Sequence, residues 1–157
     1  MKYWLMKSEP NVYSIADLEK EQTCIWDGVR NYQAGNFLKT MNRGDLVFFY
    51  HSNTKPPGIV GLAKVIANNV IDPTQFDENS KYYDPRSKTQ APRWLTVSLE
   101  FIERFTQPIS LISLKQKFTG DELLVVRHGN RLSVMPVAHD IAEKILQMRD
   151  ESKAQQR

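Results

Sequence analysis

The chain has 157 residues, 41% hydrophobic and 25% charged, with a formal net charge of +3; this is the makeup of one globular domain and excludes wholesale disorder. The longest apolar run, Leu46-Val47-Phe48-Phe49-Tyr50, is far shorter than the ~20 residues of a membrane span, and the opening MKYWLMKSEP lacks a signal peptide's apolar stretch. Cys24 is the only cysteine, which excludes an intramolecular disulfide and a multi-cysteine zinc site and suggests a reducing cytoplasm, or a nucleus in a eukaryote.

Taken in chain order, Tyr3 to Met6 suit a short buried strand that ends in the turn former Ser8-Glu9-Pro10. Ser14 and Asp17 have the spacing of a capping box and open a short helix with Ile15 and Leu18 on one face. A second helix is expected over 34–42, with Gly44 as its stop. Residues 46–50 and 59–66 read as two strands joined by the turn-rich 51–58, and Gly61 marks a bulge or a close backbone approach. Residues 67–93 are polar, broken by three prolines, and carry Tyr82 and Tyr83; a loop of this length is usually functional. Trp94 to Phe105 alternates like a strand packed on one side. Ser110 caps a third helix, Leu123–Val126 reads as a short buried strand, and Pro136 as the first turn of a final helix. Residues 149–157 are expected to form a flexible polar tail. The mixture indicates an α+β fold with a curved mixed sheet.

The sequence contains no Walker-type loop, no G-x-S-x-G and no H-E-x-x-H. His51, His128 and His139 lack metal-ligand spacing, and Cys24 beside Ile25 and Trp26 reads as buried filler. No catalytic residue, metal or cofactor is therefore predicted. Trp26-Asp27-Gly28-Val29-Arg30-Asn31 sets a flat indole beside a glycine turn, a cation and an amide. Trp26 suits either a stacking wall for a planar ligand or the core, and Asn31 either a base contact or a helix cap. Lys7-Ser8 suits a pocket rim or a solvated turn. Arg127 and Arg131 bracket a Gly-Asn turn and suit either a phosphate clamp or a plain hairpin tip.

Seven segments together resemble the EVE domain family of the PUA-like superfamily: Trp4 to Pro10, Trp26 to Asn31, Gly44-Asp45 with Phe48 to Ser52, Gly58 to Gly61, Asp72-Pro73-Thr74, Tyr82-Tyr83-Asp84, and Arg131 to Val137. The resemblance implies a domain over 1–148 with a PUA-like fold, a partial barrel flanked by helices. It also implies a non-catalytic nucleic-acid-binding module that recognises a modified base, namely methylated or hydroxymethylated cytosine or methylated adenine. By similarity to YTH domains, the pocket is expected from Lys7, Ser8, Trp26, Asp27, Asn31, Ser52, Tyr82 and Tyr83, and the phosphate contacts from Arg30, Arg127 and Arg131. The partner would be DNA or RNA, with a separate effector protein and no membrane. Two other functions stay open at this point. One is an enzyme acting on modified nucleotides, using His51 with Asp27 or Asp84; the other is a protein-interaction domain with a vestigial pocket.

Overall fold

Successive side chains of the first strand, β1 (Tyr3–Ser8), enter opposite cores: Tyr3 and Leu5 join one buried cluster, Trp4 and Met6 another. The third strand in sequence, β3 (Leu46–His51), repeats the pattern with Phe48 and Tyr50 on one side and Val47 and Phe49 on the other. Both strands are thus buried on two faces, which is why they read as nearly unbroken apolar runs. The computed structural model describes residues 1–155.

Helices α1 (Ile15–Glu21) and α2 (Tyr32–Thr40) cover one face of the sheet through Ile15, Leu18, Ala34 and Leu38. Helices α3 (Leu111–Lys117) and α4 (His139–Gln155) cover the other through Leu114, Ile141, Ala142 and Ile145. The remaining strands are β2 (Thr23–Ile25), β4 (Gly58–Ile71), β5 (Leu95–Ser110) and β6 (Val134–Val137), and the six run in the order β2-β5-β4-β3-β1-β6. Among the described residues only β1 and β3 pair in parallel. The fold is the expected α+β, with one open mixed sheet whose edges, β2 and β6, do not meet.

The Ser14 capping box forms as read: its side chain accepts from Asp17 N while the Asp17 carboxylate accepts from Ser14 N. Gly61 is a close approach, since a Cβ there would stand 2.5 Å from the Glu103 carbonyl oxygen and 2.7 Å from Ile15 Cδ1. No helix among the described residues is long and apolar enough to cross a membrane.

Two local expectations are corrected. Leu124–Val126 is a 3-10 turn rather than a strand, because its amide bonds close locally, Val126 N on Leu123 O and Arg127 N on Leu124 O. Pro136 lies in β6, opposite Trp4, and does not start a helix; an edge strand tolerates a residue without an N–H. Residues 149–155, placed in a flexible polar tail by the sequence, lie in α4. Glu103 holds them there, accepting from Arg149 Nη1 at 2.8 Å and pairing with Lys153 Nζ at 3.2 Å. Residues 156 and 157 lie outside the described residues.

Candidate functional site

The end of β1, the turn after β2, the start of the segment after β3 and the long connection from β4 to β5 converge on a hollow of about 860 Å³. Lys7 and Ser8 come from β1, Trp26 to Arg30 from the turn between β2 and α2, and Ser52 from the residue after β3. Lys81 and Tyr82 come from the long connection, and Arg131 and Ser133 from the approach to β6.

Trp26 belongs to the core and also borders the hollow. It is 7% exposed, packs edge-on against Phe49 at 5.5 Å in the core, and still lines the hollow. Its backbone is locked between Val97 and Thr96.

The opposite wall depends on a glycine. Gly28 has φ +84°, and a Cβ there would stand 2.6 Å from the Tyr82 ring. Only bare backbone lets the phenol lie this close to the turn. Asp72 ties the same turn down by accepting from Gly28 N at 2.9 Å. Arg30 completes the brace, donating to Tyr82 O, Val29 O, Asp72 Oδ2 and Thr74 Oγ1 at 2.9–3.0 Å. Four of its five N–H groups are thereby used within the protein, and one is left over. Its job is to hold the Tyr82 loop against the Trp26 turn.

The long connection is ordered by buried polar side chains. Gln75, fully buried, donates to Asp72 O and Trp94 O and accepts from the amides of Arg93 and Trp94 and from Ser87 Oγ. Asp84 accepts from Trp94 Nε1 at 2.8 Å, Arg86 N at 3.0 Å and Arg93 Nη1 at 3.3 Å. A segment that looked like loose polar loop is thus a rigid mount for its tyrosines.

Lys7, Asp27 and Cys24 in the hollow are shifted from their ordinary values. Burial lowers the Lys7 amine, whose Nζ lies 5.9 Å from the Tyr50 ring centroid. Burial, reinforced by the neighbouring Asp72 charge and opposed by Arg30, raises the Asp27 carboxyl. Burial also pushes the Cys24 thiol up to about 11, which keeps it protonated and inert at neutral pH. Ser8 Oγ donates to Tyr13 O at 2.5 Å and keeps its acceptor capacity for a ligand.

Of the residues singled out in the sequence, Lys7, Ser8, Trp26, Asp27, Arg30, Ser52, Tyr82 and Arg131 share the hollow. Three do not line it. Asn31 caps α2, its Oδ1 accepting from Ala34 N at 3.0 Å. Tyr83 lines a smaller, adjoining hollow. Arg127 pairs with Asp121 at 3.0 Å. His51 and Asp84 also lie away from it: His51 Nε2 accepts from Ile15 N at 3.1 Å, and Asp84 is held by Trp94. The sequence reading missed Tyr13 and Ser133 as lining residues and Asp72 as the brace; the Asp72-Pro73-Thr74 motif signals a cap, but not its bond to Arg30. Among the described residues, no three or more His, Cys, Asp or Glu side chains gather to hold a metal ion.

Comparison with known proteins places the chain. Residues 2–148 match the EVE domain family. Thymocyte nuclear protein 1 of Rattus norvegicus is 43% identical over 94% of this chain and 74% of its own length. Among solved structures, a protein from Pseudomonas syringae is 45% identical with a TM-score of 0.90, covering 94% of this chain and 99% of that one. The human THYN1 protein, solved in complex with DNA containing 5-methylcytosine, is 38% identical with a TM-score of 0.87, covering 95% and 98%. The YTH domain of Mmi1, at 11% identity and a TM-score of 0.53, shares the fold alone. With nearly its whole length matched, the chain belongs to the EVE domain family.

Proposed function

We propose that this chain is a nucleic-acid-binding module that reads a modified base, 5-methylcytosine in DNA foremost, drawn out of its stack into the hollow beside Trp26. The observation that carries this reading is the double position of Trp26, fixed in the core yet facing open space. A rigid ring bordering a hollow is a preorganised stacking face, and the long connection supplies a second aromatic, Tyr82. The human relative crystallised with 5-methylcytosine DNA gives the ligand class its independent support.

Drawing a base from its stack costs a few kcal/mol, and stacking on an aromatic wall returns ~1–3 kcal/mol. A buried methyl adds ~0.8 kcal/mol, about fourfold in affinity. A hydroxymethyl that also gains one hydrogen bond of ~1 kcal/mol reaches about twentyfold. Ser8, Ser52 and the Asp27 carboxylate are the groups placed to test the base edge, while Lys7 and Arg131 carry the charge that meets phosphate. In this reading the chain marks the base, and a separate effector protein acts on the mark in the cytoplasm or, in a eukaryote, the nucleus.

The test is a titration against matched oligonucleotides carrying methylated or hydroxymethylated cytosine, methylated adenine or plain bases, each as DNA and as RNA. Wild type should favour methylated cytosine DNA over plain about fourfold or more. Tyr82→Ala, which leaves the core alone, should erase that preference, as should Trp26→Ala where it folds. Equal affinity of the wild type for methylated and plain strands overturns the reading.

A further inference from the structure

A second hollow of about 290 Å³ adjoins the first, with Arg30, Lys81 and Tyr82 lining both. Two of its lining aromatics, Tyr32 and Tyr83, are exposed. Tyr32 is 59% exposed and Tyr83 38% exposed, although both are large enough to have been worth burying. Tyr32 occupies the first helical position of α2, where helix formation asks for no aromatic. Its ring is nonetheless fixed: it stacks on Trp94 at 5.3 Å and 24°, and its hydroxyl accepts from Arg93 Nη2 at 2.5 Å. Two cations border the same space. Lys81 Nζ stands 5.1 Å from the Tyr82 centroid. The Arg86 side chain is 72% exposed, and its Nε forms an ion pair with Asp84 at 3.6 Å at the solvent edge. Flat rings held in place beside solvent-exposed cations suit a ligand that is planar and anionic by turns, which is the chemistry of a nucleotide strand.

We propose that this second hollow is a stacking subsite for the nucleotide next to the extruded base, with that neighbour's ring on Tyr32 and its phosphate at Lys81 and Arg86. The inference rests on the base-reading function above and divides the labour within it. The Trp26 hollow discriminates, because it encloses the altered ring. The Tyr32 shelf is open and meets a π-face that every base possesses, so it supplies affinity without preference. The shared wall of Arg30, Lys81 and Tyr82 keeps the two sites adjacent, as consecutive nucleotides require.

The experiment pairs protein variants with altered DNA. Short strands carrying one 5-methylcytosine are made with the flanking nucleotide intact or abasic on the 5′ or the 3′ side, and each is titrated with wild type, Tyr32→Ala, Tyr32→Phe and Arg86→Ala. Loss of the neighbouring base on one side should weaken wild-type binding about tenfold and leave Tyr32→Ala, already about tenfold weaker, unchanged. Tyr32→Phe should behave as wild type. Arg86→Ala should reduce the slope of log affinity against log salt by about one. In all three variants the ratio of methylated to plain affinity should stay at the wild-type value. Abasic flanks that cost Tyr32→Ala as much as wild type, or an Arg86→Ala variant with undiminished affinity and salt slope, would sink the subsite while leaving base reading intact. Conversely, if wild type ignores the methyl but Tyr32→Ala and Arg86→Ala still weaken binding, base reading falls and the shelf stands as a plain nucleic-acid surface.

Discussion

Arg30 holds Tyr82 by its backbone: Nε donates to the Tyr82 carbonyl at 2.9 Å, while the guanidinium carbon lies 5.8 Å from the phenol centroid. The same guanidinium is 5.1 Å from the Trp94 ring and 3.0 Å from the Asp72 carboxylate. One side chain therefore joins the turn that carries Trp26 to the connection that carries Tyr82, and the width of the hollow between them depends on it. Lysine keeps the charge but has no planar fork to reach Tyr82, Asp72 and Thr74 together. Arg30→Lys is expected to cost roughly 2 kcal/mol, the worth of one hydrogen bond to a charged group. Arg30→Ala, which strands the buried Asp72 charge, should cost roughly 3 kcal/mol or more. Urea midpoints at unchanged slope measure both; a lysine variant as stable as wild type would refute the brace.

Gly28→Ala tests the opposite wall. The added methyl meets the Tyr82 ring at 2.6 Å and sits on a backbone at φ +84°, so the ring must move. Strain of about 1 kcal/mol or slightly more is expected, with secondary structure intact. Affinity for methylated and plain DNA should converge, because the wall that closes on the base is displaced. Tyrosine ring resonances report the shift directly, and an unmoved Tyr82 resonance in a variant that retains its preference contradicts the geometry.

How far the sequence foretold this site depends on the distance over which each contact acts. β1, β3 and β5 announce themselves by period and by aromatic or branched residues, and the Ser14 cap by a three-residue spacing. β2 spans three residues, two of them exposed, so no period could reveal it. The mount for Tyr82 has no local signature, since Gln75 reaches Trp94 across 19 positions and Arg30 reaches Asp72 across 42. The union of Lys7, Trp26 and Tyr82 in one hollow is a tertiary fact, which only the resemblance to a known family pointed to. Trp26 shows why composition alone could not decide: a single indole serves as core and wall, so the two readings were never exclusive.

Acid should loosen this mount before the core. Burial works to raise the Asp72 carboxyl, but hydrogen bonds from Thr74, Gly28 and Arg30 outweigh it and hold the group below its ordinary value. Asp84 is held low chiefly by Trp94 Nε1. Both are depressed relative to an unfolded aspartate near about 3.9. Their stabilisation is therefore complete above that value and is lost as pH falls through the lower folded values. Asp27, raised in the fold, has the opposite sign: it loses stability as pH climbs from the unfolded value through its folded one. Urea midpoints between neutral pH and strong acid should fall more shallowly in Asp72→Asn than in wild type. Parallel acid limbs would show that Asp72 titrates alike in both states.

Lys7 separates binding from folding by the direction of its pH dependence. Burial lowers its amine in the free protein, so the folded chain disfavours the charged form. Folding stability should rise as pH climbs through the lowered value toward the unfolded one near about 10.4. Binding has the reverse slope, because a phosphate or base oxygen favours the ammonium, and affinity should fall as pH passes the lowered value. Lys7→Met is expected to bind about tenfold more weakly at neutral pH, the worth of a hydrogen bond from a charged donor, and to lose the alkaline decline. Arginine does not lose its proton in proteins, so Arg131→Ala, on the same hollow, should weaken binding equally at every pH and keep the decline. An alkaline loss of affinity that persists in Lys7→Met would place the titrating group elsewhere in the hollow.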